Sequence, residues 1–182
     1  MARIISSFFI SLDGVVEAPD QWHFDFWSDQ MGEVVGRGMA TAGAFLMGRR
    51  LHDEWAAYWP TSEDGEIADF FNRIDKYVLS NTITESAWAG TTVLGGSEDA
   101  VAARLREVRD ATEGDIQMSG SATTVRWLLR HGLLDRLHLL VHPVVVGSGQ
   151  RLFEGTPKHV LDLDHHEVIE NGVTYLEYRP RG

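Results

Sequence analysis

The stretch Ala44-Phe45-Leu46-Met47-Gly48-Arg49-Arg50-Leu51 sets the architecture. Four apolar residues make a short buried strand, and Gly48 closes it. A short amphipathic segment through Trp55 then reads as a helix. The same grammar recurs on both sides. Ile4 to Leu12 reads as a buried strand, and roughly Ser28 to Ala40 as a helix with Met31, Val34, Val35 and Met39 at helical spacing. Lys76-Tyr77-Val78-Leu79-Ser80 and Ile116-Gln117-Met118 read as strands, with Thr92-Val93-Leu94 a minor one. Ser97 offers an N-cap to a helix with Val101, Leu105 and Val108 inward, and Ser121 to His131 forms another, stopped by Gly132. Phe70-Phe71-Asn72 belongs to a further short helix, and Tyr58 to Gly65 reads as a loop.

The last third is mostly strand. Leu137 to Val146 reads as one long strand broken by Gly147-Ser148-Gly149. Val160 to Leu163 and Val173 to Tyr178 follow, separated by an Asn171-Gly172 turn. Alternating β and α followed by β predicts an α/β fold. Its sheet is mixed and mainly parallel, flanked by helices, with an antiparallel C-terminal edge. Residues 1–182 suit a single domain.

Composition narrows the function. A net charge of -11 repels nucleic acid and anionic lipid. The absence of cysteine excludes disulfides, thiolate metal sites and a cysteine nucleophile. No apolar run has the length of a membrane span or a signal peptide, so a cytoplasmic location is expected. The eight histidines show no metal-ligand spacing. His138 and His142 share one face of the long strand, and a dimer contact along its other face is plausible.

Three strand-to-helix junctions carry the chemistry. Gly48-Arg49-Arg50 offers a tight turn, a helix N-terminus and two cations, which together make an anion site or, alone, two solvated arginines. Ser80-Asn81-Thr82 offers small donors for a phosphate or ribose, or a turn. Ser119-Gly120-Ser121-Ala122-Thr123 suits a pyrophosphate cradle or a capped helix. Ligands of open α/β sheets bind at the carboxyl ends of strands, where all three lie. An arginine pair on so acidic a protein suggests an extra phosphate, as on the adenosine ribose of NADPH. The aromatics Trp22, Phe24, Phe26 and Trp27, with Trp55 and Trp59 opposite, fit either the walls of a planar-substrate pocket or core packing. Asp13 beside Gly14 fits a proton relay or a turn.

Ile10-Ser11-Leu12-Asp13-Gly14, Leu46-Met47-Gly48-Arg49-Arg50, Val78-Leu79-Ser80 and Ser119-Gly120-Ser121 resemble, in order and spacing, the dihydrofolate-reductase-like superfamily. Gly132 to Leu137, followed by His142-Pro143-Val144-Val145-Val146-Gly147-Ser148-Gly149-Gln150-Arg151-Leu152-Phe153, is similar to the reductase domain of bacterial riboflavin biosynthesis and its stand-alone relatives.

That resemblance implies an NADPH cofactor, a small-molecule substrate and a homodimer. Carried over, Arg49 meets the 2′-phosphate and Arg50 the phosphates nearby. Ser80 and Asn81 lie by the adenosine ribose. Ser119, Gly120, Ser121, Ala122 and Thr123 line the pyrophosphate, with Gly48 at the turn. Asp13 and Gly14 sit near the nicotinamide. Leu51 replaces a frequent Thr of the family, and Ser119-Gly120 a frequent Gly-Gly. The pterin-binding carboxylate of true dihydrofolate reductases has candidates in Asp25 and Asp29.

The expected activity is hydride transfer from NADPH to a small polar heterocycle or C=N compound, of the 5-amino-6-(5-phosphoribosylamino)uracil kind. Asp13 is the candidate catalytic group, and Trp22, Trp27 and Trp55 the candidate substrate contacts. A non-catalytic NADPH or nucleotide sensor and a true dihydrofolate reductase are the alternatives.

Overall fold

The computed structural model describes residues 1–181. Strands β1 (Ile4–Ser11), β2 (Ala42–Gly48), β3 (Asp75–Leu79), β4 (Thr91–Leu94), β5 (Asp115–Met118), β6 (Arg136–His142), β7 (Leu161–Val168) and β8 (Thr174–Pro180) form one sheet in the order β4-β3-β2-β5-β1-β6-β8-β7. The first six strands in that order run parallel, and β8 pairs antiparallel with both β6 and β7. The mixed sheet with an antiparallel edge follows the sequence pattern.

Helices cover both faces. Helices α4 (Glu98–Ala111) and α5 (Ala122–Arg130) pack Val101, Ala102, Leu105, Val125, Leu128 and Leu129 onto one face, against Ile4, Leu46, Ile116 and Leu137. Helix α1 (Asp29–Thr41) covers the opposite face beside β6 and β8 through Met31 and Val34. Helices α2 (Arg49–Tyr58) and α3 (Gly65–Arg73) cover that same face above β2 and β3, in a cluster around Phe45, Met47, Phe71 and Trp88.

Local chemistry explains the helix boundaries. The hydroxyls of Ser28, Ser97 and Ser121 accept the N–H groups of Met31, Ala100 and Thr124, capping α1, α4 and α5. Helix α1 carries Gly32, Gly36 and Gly38 within thirteen residues. Each costs up to about 1 kcal/mol relative to alanine, so α1 is held by its cap and its buried face more than by propensity.

The structure corrects four boundaries. The strand expected from Leu137 to Val146 ends at His142, because Pro143 brings no N–H to the ladder and Val144 N–H turns back onto the His142 carbonyl (2.8 Å). The expected loop from Tyr58 is helical for longer: α2 runs to Tyr58 and a 3₁₀ turn covers Trp59–Thr61. Helix α3 begins at Gly65, well before Phe70. Strand β7 extends to Val168, although most of it is exposed and charged, because its hairpin partner β8 supplies the ladder.

Candidate functional site

The three junctions meet because their strands are neighbours. Gly48 ends β2 opposite Leu79, the last residue of β3, so Arg49 and Ser80 begin side by side. Strand β5 lies on the other side of β2, and Ser119 to Ser121 leads from it into α5. A β-carbon on Gly48 would stand 2.9 Å from the Thr124 hydroxyl and 3.6 Å from that of Ser121. Glycine there lets the first turn of α5 approach the end of β2.

A cleft of about 320 Å³ opens at these strand ends, lined by Ser80, Asn81, Gly96, Thr123, Thr124 and Arg130, among others. The N-cap of α2 is Gly48, which has no side chain to satisfy the first N–H groups of that helix. At α5, Ser121 accepts from Thr124, and its carbonyl accepts from Val125. The N–H groups of Ala122 and Thr123 are left pointing out of the helix end. Both helix ends therefore present N–H donors and positive dipole ends, as an anion requires.

Arg49 and Arg50 are exposed at this edge. Arg49 Nη1 donates to Asp53 Oδ2 (2.6 Å). Among the described residues its Nε and Nη2 have no acceptor, so the side-on fork of the guanidinium is available. Ser80 and Asn81 also serve the fold. The Ser80 hydroxyl accepts from Thr82 and Ile83 N–H, and Asn81 exchanges two hydrogen bonds with the backbone of Gly96. Ser121 likewise caps its helix. Gly96 and Arg130 join the cleft without a signal in the sequence, because neither stands at a motif.

A second cavity of about 440 Å³ lies on the opposite face of the sheet, between α1 and the α2–α3 pair. Its size suits a small-molecule ligand. Trp55, Trp59, Phe70 and Phe71 form one wall with Phe45, in mutual ring contact at 4.7–5.4 Å for Trp55–Phe71, Trp59–Phe71, Phe45–Trp55 and Phe45–Phe71. The other wall is α1, where Gly38 leaves a gap among Val34, Val35 and Met39.

Polar groups enter the floor from four neighbouring strands, Ser7, Gln117, His138 and Glu177, among the apolar Ile5, Phe9 and Leu140. Tyr175 OH donates to Glu177 (2.8 Å) and accepts from His138 Nδ1 (3.1 Å). Burial pushes the Tyr175 phenol well above its ordinary pKa, and Glu177 adds to the effect. Burial also lowers the pKa of His138, with Glu177 opposing. Arg3 clamps Asp115 with its side-on fork (2.9 and 2.7 Å) at the end of the floor.

Trp55 lines this cavity, whereas Trp22 and Trp27 do not. Trp22 donates to the Glu17 carbonyl and stands edge-on to His142, and Trp27 is half exposed near His23. They belong to a separate aromatic nest around His23 and His142, beside the 3₁₀ turns Pro19–Gln21 and Phe24–Phe26. Asp25 and Asp29 are exposed and lie outside the cavity, so neither is placed to read a buried ring.

Asp13 is committed to the turn after β1. Its carboxylate accepts from Ser11 Oγ (2.7 Å), Val146 N–H (3.1 Å) and Gly147 N–H (2.9 Å). Those bonds, Ser11 first, lower its pKa to about 2. The group carries no proton to donate at neutral pH. Gly14 takes the positive φ of +83° that the turn needs, and its carbonyl accepts from Leu152 N–H.

Residues 2–175 match the family of the RibD C-terminal domain. The uncharacterized Bacillus subtilis protein YyaP is 25% identical over 196 residues, covering 99% of this chain and 96% of its own. A protein of Shewanella sp. PV-4 ascribed to riboflavin biosynthesis superposes with a TM-score of 0.77 at 20% identity, with both chains covered in full. The dihydrofolate reductase of Enterococcus faecalis, solved with NADP(H), superposes with a TM-score of 0.63 at 13% identity, over 99% of this chain and 97% of its own. At those identities the two structures establish the fold.

Proposed function

The chain belongs to the RibD C-terminal domain family, and on that premise we propose that it is an NADPH-dependent reductase that transfers hydride to a small polar heterocycle or C=N compound. The observation that carries the reading is the convergence of the ends of β3, β2 and β5, which brings Ser80, Asn81 and Thr123 to one cleft and starts α2, with Arg49 exposed in its first turn, at the neighbouring strand end.

The residues present fit such a cofactor. The Nε/Nη2 fork of Arg49 would hold the 2′-phosphate, with Arg50 close by. The N–H groups of Ala122 and Thr123 would hold the pyrophosphate. Gly48, which has no room for a β-carbon, keeps the cradle narrow. The nicotinamide supplies the hydride when bound, so the protein's task is positioning and the exclusion of water.

The second cavity suits the acceptor: Ser119 of the third junction lines it, so a nicotinamide carried over the end of β5 would reach it. Its aromatic wall would stack a planar ring, and Ser7, Gln117, His138 and the Tyr175–Glu177 pair offer donors and acceptors to the ring's edge. Two apolar strand residues, Phe8 and Phe9, also line the space and limit water.

The test is a thermal-shift comparison of NADPH, NADH and FMN, followed by NADPH consumption with aminopyrimidine and dihydrofolate acceptors. NADPH should give the largest rise in Tm, with turnover on an aminopyrimidine. If none of the three nucleotides raises Tm, the reading fails.

A further inference from the structure

Arg49 does not stand alone on its helix. The Ser86 hydroxyl accepts the Trp88 N–H (3.1 Å), so its own hydrogen is free to donate to His52 Nε2 (2.7 Å). That bond leaves the hydrogen on Nδ1, which donates to Asp53 Oδ1 (3.0 Å). The other oxygen of Asp53 holds Arg49 Nη1 (2.6 Å). The chain Ser86–His52–Asp53–Arg49 thus starts in the loop between β3 and β4 and ends at the exposed cation in the first turn of α2.

Burial separates its two halves. His52 is 6% exposed and fixed between α2 and the Trp88 loop, whereas Asp53 and Arg49 keep nearly half of their side chains in solvent. A solvent-exposed i,i+4 ion pair is weak and loose by itself. Here one oxygen of the carboxylate is tethered to a buried imidazole, which gives the pair a fixed end. The His52 hydrogen bond is also the chief cause that holds the Asp53 carboxyl below its ordinary pKa, with slight burial opposing and Arg49 adding.

The pin takes only Nη1. It leaves the Nε/Nη2 fork free, the same fork with which Arg3 grips Asp115 bidentately. A phosphate oxygen pair presents the same geometry as that carboxylate. The loop that carries Ser86 begins at Ser80, so the relay also ties the second junction to the first.

We propose that His52, through Asp53 and supported by Ser86, is a positioning residue that holds Arg49 ready for a ribose 2′-phosphate and so sets the preference for NADPH over NADH. This rests on the reading of Arg49 as the 2′-phosphate contact. His52 touches no cofactor in this scheme, and its influence passes entirely through the orientation of Arg49.

The test measures NADPH and NADH affinities of the full chain by tryptophan quenching, for wild type, Arg49→Ala, His52→Phe, His52→Asn and Ser86→Ala. Phenylalanine at 52 removes both hydrogen bonds and leaves the charges of Asp53 and Arg49 in place. Arg49→Ala should reduce the NADPH/NADH affinity ratio by roughly tenfold or more. His52→Phe and Ser86→Ala should reduce it by about threefold or more, the cost of freeing a long side chain, with NADH affinity unchanged. His52→Asn, whose amide nitrogen can replace Nδ1–H, should recover most of the ratio.

A ratio that survives His52→Phe and Ser86→Ala while Arg49→Ala abolishes it overturns the relay alone. Equal weakening of both nucleotides by His52→Phe also overturns it, by making the residue a packing element. A ratio that survives Arg49→Ala overturns the cofactor reading beneath, whatever His52 does. Should His52→Phe not fold, Ser86→Ala decides, since it deletes a single, partly buried hydroxyl.

Discussion

Acidification from pH 7.5 to 5.5 should destabilise the protein through His23 and His142. The two rings lie 6.1 Å apart, 6% and 0% exposed, among Phe9, Trp22, Phe24, Phe26 and Trp27. His142 Nδ1 donates to the Leu140 carbonyl (2.8 Å), so its Nε2 carries the lone pair, and that atom has no partner among the described residues. His23 Nδ1 is also unpartnered. A proton added to His142 would sit on a buried Nε2 without an acceptor, and one added to His23, stacked on Phe9 at 4.5 Å, would charge a buried ring whose Nδ1 has none.

Burial accordingly lowers both pKa values from 6.5. The neighbouring His142 adds to the effect at His23 and Asp20 opposes it, while backbone carbonyls oppose it at His142. The sign follows from proton counting. Below pH 6.5 the unfolded chain binds more protons at these two sites than the folded chain, so stability falls as the pH falls. The loss has a ceiling of about 1.4 kcal/mol per histidine for each pH unit below 6.5, so at most ~3 kcal/mol for the pair at pH 5.5. Against a typical total of about 5–15 kcal/mol, that is a large fraction.

Urea denaturation at the two pH values measures it, with His23→Phe/His142→Asn as the comparison. The wild type should lose more stability than the variant over this interval. The depressed carboxyls, Asp13 among them, titrate below it. Equal losses in the two proteins would refute the assignment of the acid sensitivity to this nest.

Three further outcomes are expected. Gly48→Ala sets a β-carbon 2.9 Å from the Thr124 hydroxyl and should cost about 1–3 kcal/mol by denaturant unfolding while weakening NADPH binding in titration. Ser97→Ala and Ser121→Ala should each cost about 1 kcal/mol as lost N-caps in thermal melts, but only Ser121→Ala should also weaken nucleotide binding. Asp13→Ala leaves the Val146 and Gly147 N–H groups without their carboxylate acceptor and should lower the midpoint of chemical denaturation; NADPH turnover per folded molecule, followed by absorbance, should persist.

The meeting of the three junctions is legible in the sequence because each is a local signal. Gly48-Arg49-Arg50 and Ser119-Gly120-Ser121 are local signals, each a strand end, a small residue and a helix start, and the sheet order placed them together. The lining of the second cavity is not. Ser7, Gln117, His138 and Glu177 reach one floor from four strands, one residue apiece, and no spacing along the chain records that. Trp22 and Trp27 looked equivalent to Trp55 as aromatic candidates. Only tertiary packing sent Trp55 to the cavity and the other two to the histidine nest. Strand β7 was cut short in the reading because Asp162, Asp164, His165, His166 and Glu167 carry no apolar alternation. Its ladder comes from β8 alone.

The gap in α1 has a consequence for how such a chain can change its cavity. At Gly38 the cavity wall is a missing side chain. A β-carbon there would meet only the Gln117 amide, at 3.5 Å, an ordinary contact, and the backbone is helical. Alanine at this position removes a helix-weakening glycine worth up to about 1 kcal/mol and makes the cavity shallower in the same step. Larger residues would close it by degrees. The depth of this cavity is thus adjustable at a single codon, with the first increment favoured by helix stability and with the cleft at the strand ends, on the other side of the sheet, left untouched.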